Sequence, residues 1–148
     1  HVRSRRQRQM CIRDSICRSP MGEALLSAAL PHLSVSSAGV GALVGQPADA
    51  FACELMAERG LNIQSHRARQ LTTPICQQVD LILAMDNEQC AHINQLHPLA
   101  RGKVFRLGAV AGIDIPDPYR RGRPAFEQAL QLIEAGANAW AERIKKIS

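Results

Sequence analysis

The sequence predicts an α/β fold in three layers, a doubly wound parallel sheet with helices on both faces. Three observations lead there. Strand-like and helix-like stretches alternate along the chain, the pattern of right-handed βαβ units, which gathers a site at the carboxyl ends of the strands. Val79 to Met85 is an apolar run interrupted only at Asp80 and closed by Asp86, as expected of a strand covered on both faces. The last stretch repeats Phe126, Leu130, Ile133, Ala137, Trp140, Ile144 and Ile147 at helical spacing, a stripe that packs on a sheet. At 148 residues the chain is one domain, large enough to bury roughly two-thirds of its unfolded surface.

Taken in order, the first helix opens at Arg18-Ser19-Pro20-Met21. Pro20 suits a first turn because its missing N–H is an orphan there and its φ is already set. Ser19 can cap it, and Met21, Ala24, Leu25, Ala28 and Ala29 follow at helical spacing. Ser34 to Val40 reads as a short strand ending at Gly39 and Gly41. Gly45-Gln46-Pro47 breaks the chain before a helix from about Asp49 to Arg59, with Gly60 as its stop. Cys53 lies among that helix's apolar positions Phe51, Ala52, Leu55 and Met56, where a thiol is core filler. Ser65 is placed to cap a short helix containing His66 and Arg67. After the run from Val79, residues Asn87 to Leu96 read as a helix with Cys90 and Ile93 inward, and Val104 to Leu107 as a strand. Arg123-Pro124 opens the last helix.

Arg18 is the residue around which chemistry is expected. It sits at the mouth of a helix N-terminus, where free N–H groups and the helix dipole favour an anion. A planar guanidinium there can hold two phosphate oxygens at once. Taken alone, Arg-Ser-Pro reads first as an ordinary capped surface helix, and Asp117-Pro118-Tyr119 first as an ordinary turn.

The formal charge of +5 suggests a nucleic-acid partner only at first sight. Arg3, Arg5, Arg6, Arg8 and Arg13 against Asp14 put a net of +4 in residues 1–15 and leave +1 for the remainder. No basic run interleaved with aromatics survives, so no nucleic acid is expected. No apolar run approaches the length of a membrane span and nothing resembles a signal peptide, so no membrane association is expected either. Five cysteines, an odd number without CxxC spacing, argue for a reducing, cytoplasmic setting and against a disulfide framework or a zinc site.

Cys17-Arg18-Ser19-Pro20-Met21-Gly22-Glu23-Ala24 resembles the end of the phosphate loop of the low-molecular-weight protein tyrosine phosphatases, Cys-x-Gly-Asn-x-Cys-Arg-Ser-Pro. Ser37-Ala38-Gly39 resembles that family's second-strand motif, and His66-Arg67-Ala68-Arg69-Gln70-Leu71 its next loop. Leu83-Ala84-Met85-Asp86 resembles its third strand end, and Asp117-Pro118-Tyr119 the loop of its general acid. The resemblance covers residues 16–148 and is nearest to the bacterial branch that works beside exopolysaccharide tyrosine kinases. It implies a four-stranded sheet, phosphomonoester hydrolysis through a cysteinyl-phosphate intermediate, and neither metal nor other cofactor. The implied substrate is a phosphotyrosine protein, a bacterial tyrosine kinase being one such partner. It implies phosphate binding by Ser15, Ile16, Cys17, Arg18 and Ser19. Arg18 would stabilise the equatorial oxygens of the transferring phosphoryl group, and Ser19 would lower the nucleophile's pKa. Asp117 would protonate the leaving phenolate and then activate water. Tyr119 would wall the cleft, with Arg120 to Arg123 as a basic rim. Cys17 matches the family's second loop cysteine, which can pair with the nucleophile under oxidation.

The chain departs from the pattern where the nucleophile belongs. The family's cysteine lies six positions before the arginine, which here is Ile12; Cys11 is one residue too early. An extra residue disturbs both the converging N–H groups and the thiolate beneath the phosphorus. Asp14 and Ser15 stand where the family has Gly and Asn, placing an anion toward the phosphate site. The family also has an apolar strand directly before the cysteine. Here that stretch is Arg5-Arg6-Gln7-Arg8-Gln9, which cannot be buried between helical layers without stranding charges, so the first strand is expected to be missing and the N-terminus destabilised.

Arg5 to Ser15 is also one reading frame of the DNA of a transposase-based sequencing-library adapter. Residues 1–15 are therefore expected to be a non-native segment, and residues 16–148 a phosphatase domain truncated at its N-terminus. Two other readings stand beside phosphatase. An arsenate reductase on the same scaffold would need two further cysteines after the third strand, where only Cys90 lies. A non-catalytic remnant would bind phosphate through Arg18 and catalyse nothing.

Overall fold

The computed structural model describes residues 9–13, 18–39 and 45–147, with residues 9–13 and 147 described by their backbone. Four strands, β1 (Gln9–Arg13), β2 (Ser34–Ala38), β3 (Leu81–Ala84) and β4 (Val104–Arg106), form one sheet in the order β2-β1-β3-β4. Every pairing is parallel; Cys11 is in register with Ser36 on one side and Ile82 on the other. Five α-helices complete the fold: α1 (Arg18–Ala29), α2 (Ala50–Glu58), α3 (Thr73–Gln78), α4 (Asn87–Leu96) and α5 (Arg123–Ile147).

The apolar run at β3 shows why the sheet needs cover on both faces. Leu81 and Leu83 pack into a core built from α1, α2 and α5, whereas Ile82 and Ala84 pack into a second core with Leu71, Cys76, Val79, Ile93 and Ala100. Successive strand residues point to opposite faces, so a strand sandwiched between helical layers must be apolar at each position. The stripe of α5 is buried at Phe126, Leu130, Ile133, Ala137, Trp140 and Ile144, and Trp140 Nε1 also donates to the Arg106 carbonyl at 3.1 Å. In α1 the large apolar side chains that are fully buried are Met21 and Leu26, followed by Leu30, while Ala28 faces solvent rather than the core.

α2 is bounded as its residues dictate. Asp49 caps it, accepting from Phe51 N–H at 2.9 Å. Gly60, at φ 76°, closes it; its N–H reaches the Ala57 carbonyl while Leu61 N–H reaches Met56. Cys53 packs against the core as expected.

Two expectations are corrected. No helix forms at Ser65 to Arg67; there Ala68 N–H donates to the Gln46 carbonyl, Gly39 exchanges hydrogen bonds with Arg69 and Leu71, and the segment runs extended along the end of β2. The local helix is α3 instead, capped by Thr72 with Pro74 in its first turn. The first strand, expected to be missing, is present at Gln9–Arg13. Met10, Cys11 and Ile12 supply its pairing to both neighbours; Arg5, Arg6 and Arg8 lie outside the described residues.

Candidate active site

In the order β2-β1-β3-β4 the chain leaves β1 toward one side and β3 toward the other, so a crevice opens at the carboxyl ends of these two strands. Arg18 and Asp86 come from the two connections that border it. Arg18 is the first residue of α1 and is buried. Its Nη1 donates to the Ile115 carbonyl at 2.7 Å and lies 3.4 Å from Asp86 Oδ2. A buried guanidinium demands such partners, because an uncompensated charge in the interior is costly.

Asp86 uses its two oxygens differently. Oδ1 caps α4 by accepting from Gln89 N–H at 2.8 Å, and the Gln89 side chain in turn accepts from Met85 N–H at 2.9 Å. Oδ2 faces Arg18. In the sequence Asp86 belongs to a strand-end motif and is not among the expected site residues. The signal was there: an Asp directly after an apolar strand, with Gln three positions on, is a helix cap at a strand's carboxyl end.

Asp117 closes the other side. With Arg18, Asp86, Glu88, Gln89, Ala91, His92 and Gln95 it lines a cleft of about 710 Å³. Asp117 Oδ1 accepts from Tyr119 N–H at 3.1 Å, a turn in which an Asx side chain stands in for backbone. Tyr119 is exposed beside the cleft, with the Arg120 guanidinium 5.1 Å from its ring centre. Arg120 has φ 61°, unusual for a residue with a side chain.

Ser19 is fully buried behind Arg18. His66 reaches the first turns of α1, its Nδ1 lying 3.5 Å from Glu23 Oε2. The expected basic rim holds only in part, because Arg123 is engaged by Glu54, Glu58 and Glu127. Ser15, Ile16 and Cys17 lie outside the described residues. Cys11 is placed by its backbone in β1, two residues before that strand ends, and Ile12 stands six positions before Arg18.

Burial pushes the thiols of Cys53, Cys76 and Cys90 above their ordinary pKa, so none of the three is a ready thiolate. No group of three or more His, Cys, Asp or Glu among the described residues is arranged to hold a metal ion. No helix among them is long and apolar enough to cross a membrane. What the arrangement offers is a buried guanidinium at a helix N-terminus, facing a carboxyl group across a cleft, a geometry suited to an anion that must also exchange a proton.

Comparison with known proteins gives the family. The family model described as low molecular weight phosphotyrosine protein phosphatase matches residues 9–148. The probable low molecular weight protein-tyrosine-phosphatase EpsP of Ralstonia nicotianae is 51% identical over 138 residues, covering 93% of this chain and 94% of that protein. The Escherichia coli K12 low molecular weight protein-tyrosine-phosphatase Etp is 41% identical over 133 residues, covering 89% and 90%. The structure of Vibrio vulnificus Wzb in complex with benzylphosphonate superposes with a TM-score of 0.89 at 41% identity, covering 93% of this chain and 99% of that one. The chain belongs to the low molecular weight phosphotyrosine protein phosphatase family.

Proposed function

We propose that the cleft binds the phosphoryl group of a phosphotyrosine protein, with Arg18 holding its equatorial oxygens and Asp117 as the proton donor to the leaving phenolate. The observation that carries this reading is the meeting of Arg18, Asp86 and Asp117 in one cleft at the switch point of the sheet. The relative seen with benzylphosphonate supports an aromatic ester as ligand. Tyr119, exposed on the same loop, is placed to flank a phenyl ring. Ser15, Ile16, Cys17 and Ser19 complete the phosphate-binding loop in this reading. The chemistry is metal-independent and the setting cytoplasmic, with a bacterial tyrosine kinase as the partner class.

In its present sequence the chain binds phosphate without turning it over. Catalysis by this route needs a thiolate six positions before Arg18, and Ile12 supplies none. Cys11 lies one residue early, and proximity catalysis does not tolerate a displaced nucleophile. The match of residues 5–15 to adapter DNA supports reading residues 1–15 as non-native, which accounts for the departure. Amplifying the gene from source DNA and sequencing across the codons for Ser15 and Ile16 tests this. An apolar strand followed by Cys-x-Gly-Asn is the expected result; a genomic arginine-rich stretch would sink the adapter reading.

The functional test pairs binding with turnover. Inorganic phosphate raises the Tm in a concentration-dependent manner, as any ligand of the native state must, while p-nitrophenyl phosphate is hydrolysed no faster than in buffer. Hydrolysis that Cys11→Ser abolishes would overturn the silent reading. A Tm indifferent to phosphate would overturn the site itself.

A further inference from the structure

The loop that carries Asp117 is held at both ends by guanidinium groups. At its start, the Ile115 carbonyl accepts from Arg18 at 2.7 Å. At its end stands Arg123, the first residue of α5, directly after Gly122 at φ 85° and shortly after Arg120 at φ 61°. Arg123 reaches three carboxylates: Nη1 is 3.1 Å from Glu54, Nη2 2.5 Å from Glu58, and Nε 3.0 Å from Glu127. Glu54 and Glu58 stand one turn apart on α2, so a single planar fork joins two helices. A residue with a side chain stays in the left-handed region only where its surroundings over-determine it. The anchor at Arg123 is a fixed point at the exit of that turn.

Tying α2 to α5 does not by itself require Arg123. Arg59, which follows Glu58 at the C-terminal end of α2, already makes a two-pronged pair with Glu134, further along α5 than Arg123, at 3.0 and 2.9 Å. The two links differ in place: only the one made by Arg123 abuts the loop of Asp117.

We propose that Arg123 is a positioning residue for Asp117, its three-carboxylate anchor fixing the exit of the 117–122 turn and so aiming Asp117 across the cleft at Arg18. This rests on the reading of Asp117 as the group that faces the phosphoryl site. The anchor is a feature of residues away from the cleft lining, and it acts through the loop rather than on substrate.

The chain has a single tyrosine, Tyr119, whose N–H donates to Asp117 Oδ1. Fluorotyrosine incorporation therefore gives one fluorine resonance that reports on this turn without any need for turnover. Arg123→Ala is expected to displace and broaden that resonance. Glu54→Gln combined with Glu58→Gln, which severs the same anchor from the α2 side, is expected to do likewise and serves if Arg123→Ala fails to fold. Arg59→Ala cuts the other link between the same two helices; it lowers Tm and leaves the resonance where it was. A resonance unmoved when the Arg123 anchor is cut, or moved equally by Arg59→Ala, would overturn the proposal and leave Arg123 a helix clamp. Phosphate-dependent Tm, measured alongside, reports on the phosphate reading separately, so failure of one is distinguishable from failure of the other.

Discussion

Arg18 combines two properties that ordinarily exclude each other: it is buried, and it is poised toward a ligand site. Its pairings with Asp86 and the Ile115 carbonyl make the burial tolerable, and the cleft gives it an anion to meet. Charge-assisted hydrogen bonds of this type are worth about 1.5–3 kcal/mol. Arg18→Ala is therefore expected to weaken phosphate binding roughly ten- to hundred-fold, read by titration calorimetry; unchanged affinity would remove Arg18 from the site. Arg18→Lys keeps the charge but loses the fork, so its loss is intermediate. The buried thiols make a second prediction. The pKa of Cys76 is raised above 9.0 chiefly by burial, which disfavours its thiolate. For a group raised in the folded state, the stabilisation is fully present below the unfolded value and is lost as pH climbs through the folded one. The urea midpoint should accordingly fall above pH ~9, and alkylation of Cys53, Cys76 and Cys90 at neutral pH should be far slower in the native than in the unfolded chain, followed site by site by mass spectrometry. Rapid alkylation of Cys76 in the native chain would refute the burial argument.

At the scale of elements, one aspartate and one glycine show how sequence and packing divide the work. Asp86 starts α4, and Asp86→Ala is expected to cost about 1 kcal/mol through the lost cap, whereas Asp86→Asn keeps a capping oxygen and removes only the charge facing Arg18. A urea titration of the two variants separates these roles. Gly136 lies inside α5, where Gly→Ala normally stabilises by about 1 kcal/mol. Here an added Cβ would stand 2.9 Å from the Leu107 carbonyl oxygen and 3.3 Å from its Cγ. Overpacking against backbone costs about 1–3 kcal/mol, so Gly136→Ala should lower Tm, and a rise would show that the helix can shift away from the sheet. The bounds of α2 and α4 and the stripe of α5 were legible because their signals are local: Gly60 after α2, the apolar positions of α4 and the repeat from Phe126 each act within a few turns, whereas the caps at Asp49 and Asp86 went unread. The helix expected at Ser65 failed for the opposite reason. The backbone partners of residues 68–71 are Gly39, Gly45 and Gln46, more than twenty positions away, and those pairings outcompete a weak local cap. α3 went unread because Thr72, Thr73 and Pro74 mark a helix only six residues long, too short to show a period.

For the whole molecule, strand order and site are one fact: the order β2-β1-β3-β4 creates the crevice, and the connections after β1 and β3 fill it. Alternation made the parallel sheet and the place of the site legible. What alternation could not give was the segment that becomes β1, because a ladder of backbone hydrogen bonds is satisfied by Gln9–Arg13 even though the sequence before it is rich in arginine. The central strand thus forms, and in the proposed reading Ile12, six positions before Arg18, stands where the chemistry asks for a nucleophile. If the fold is competent and only the loop is wrong, repairing the loop should be enough to start catalysis. Ile12→Cys alone is expected to stay silent: Asp14 still stands where the family's pattern has a glycine, the residue type that brings no charge and takes positive φ freely. Ile12→Cys with Asp14→Gly and Ser15→Asn restores Cys-x-Gly-Asn ahead of Ile16-Cys17-Arg18 and is expected to hydrolyse p-nitrophenyl phosphate, with Asp117→Asn suppressing that rate. Initial rates of the single and triple variants decide the matter. Equal activity in the single variant would show that nucleophile register alone was lacking. A triple variant that binds phosphate yet remains inert would show instead that β1, as built from these residues, fails to hold the thiolate beneath the phosphorus.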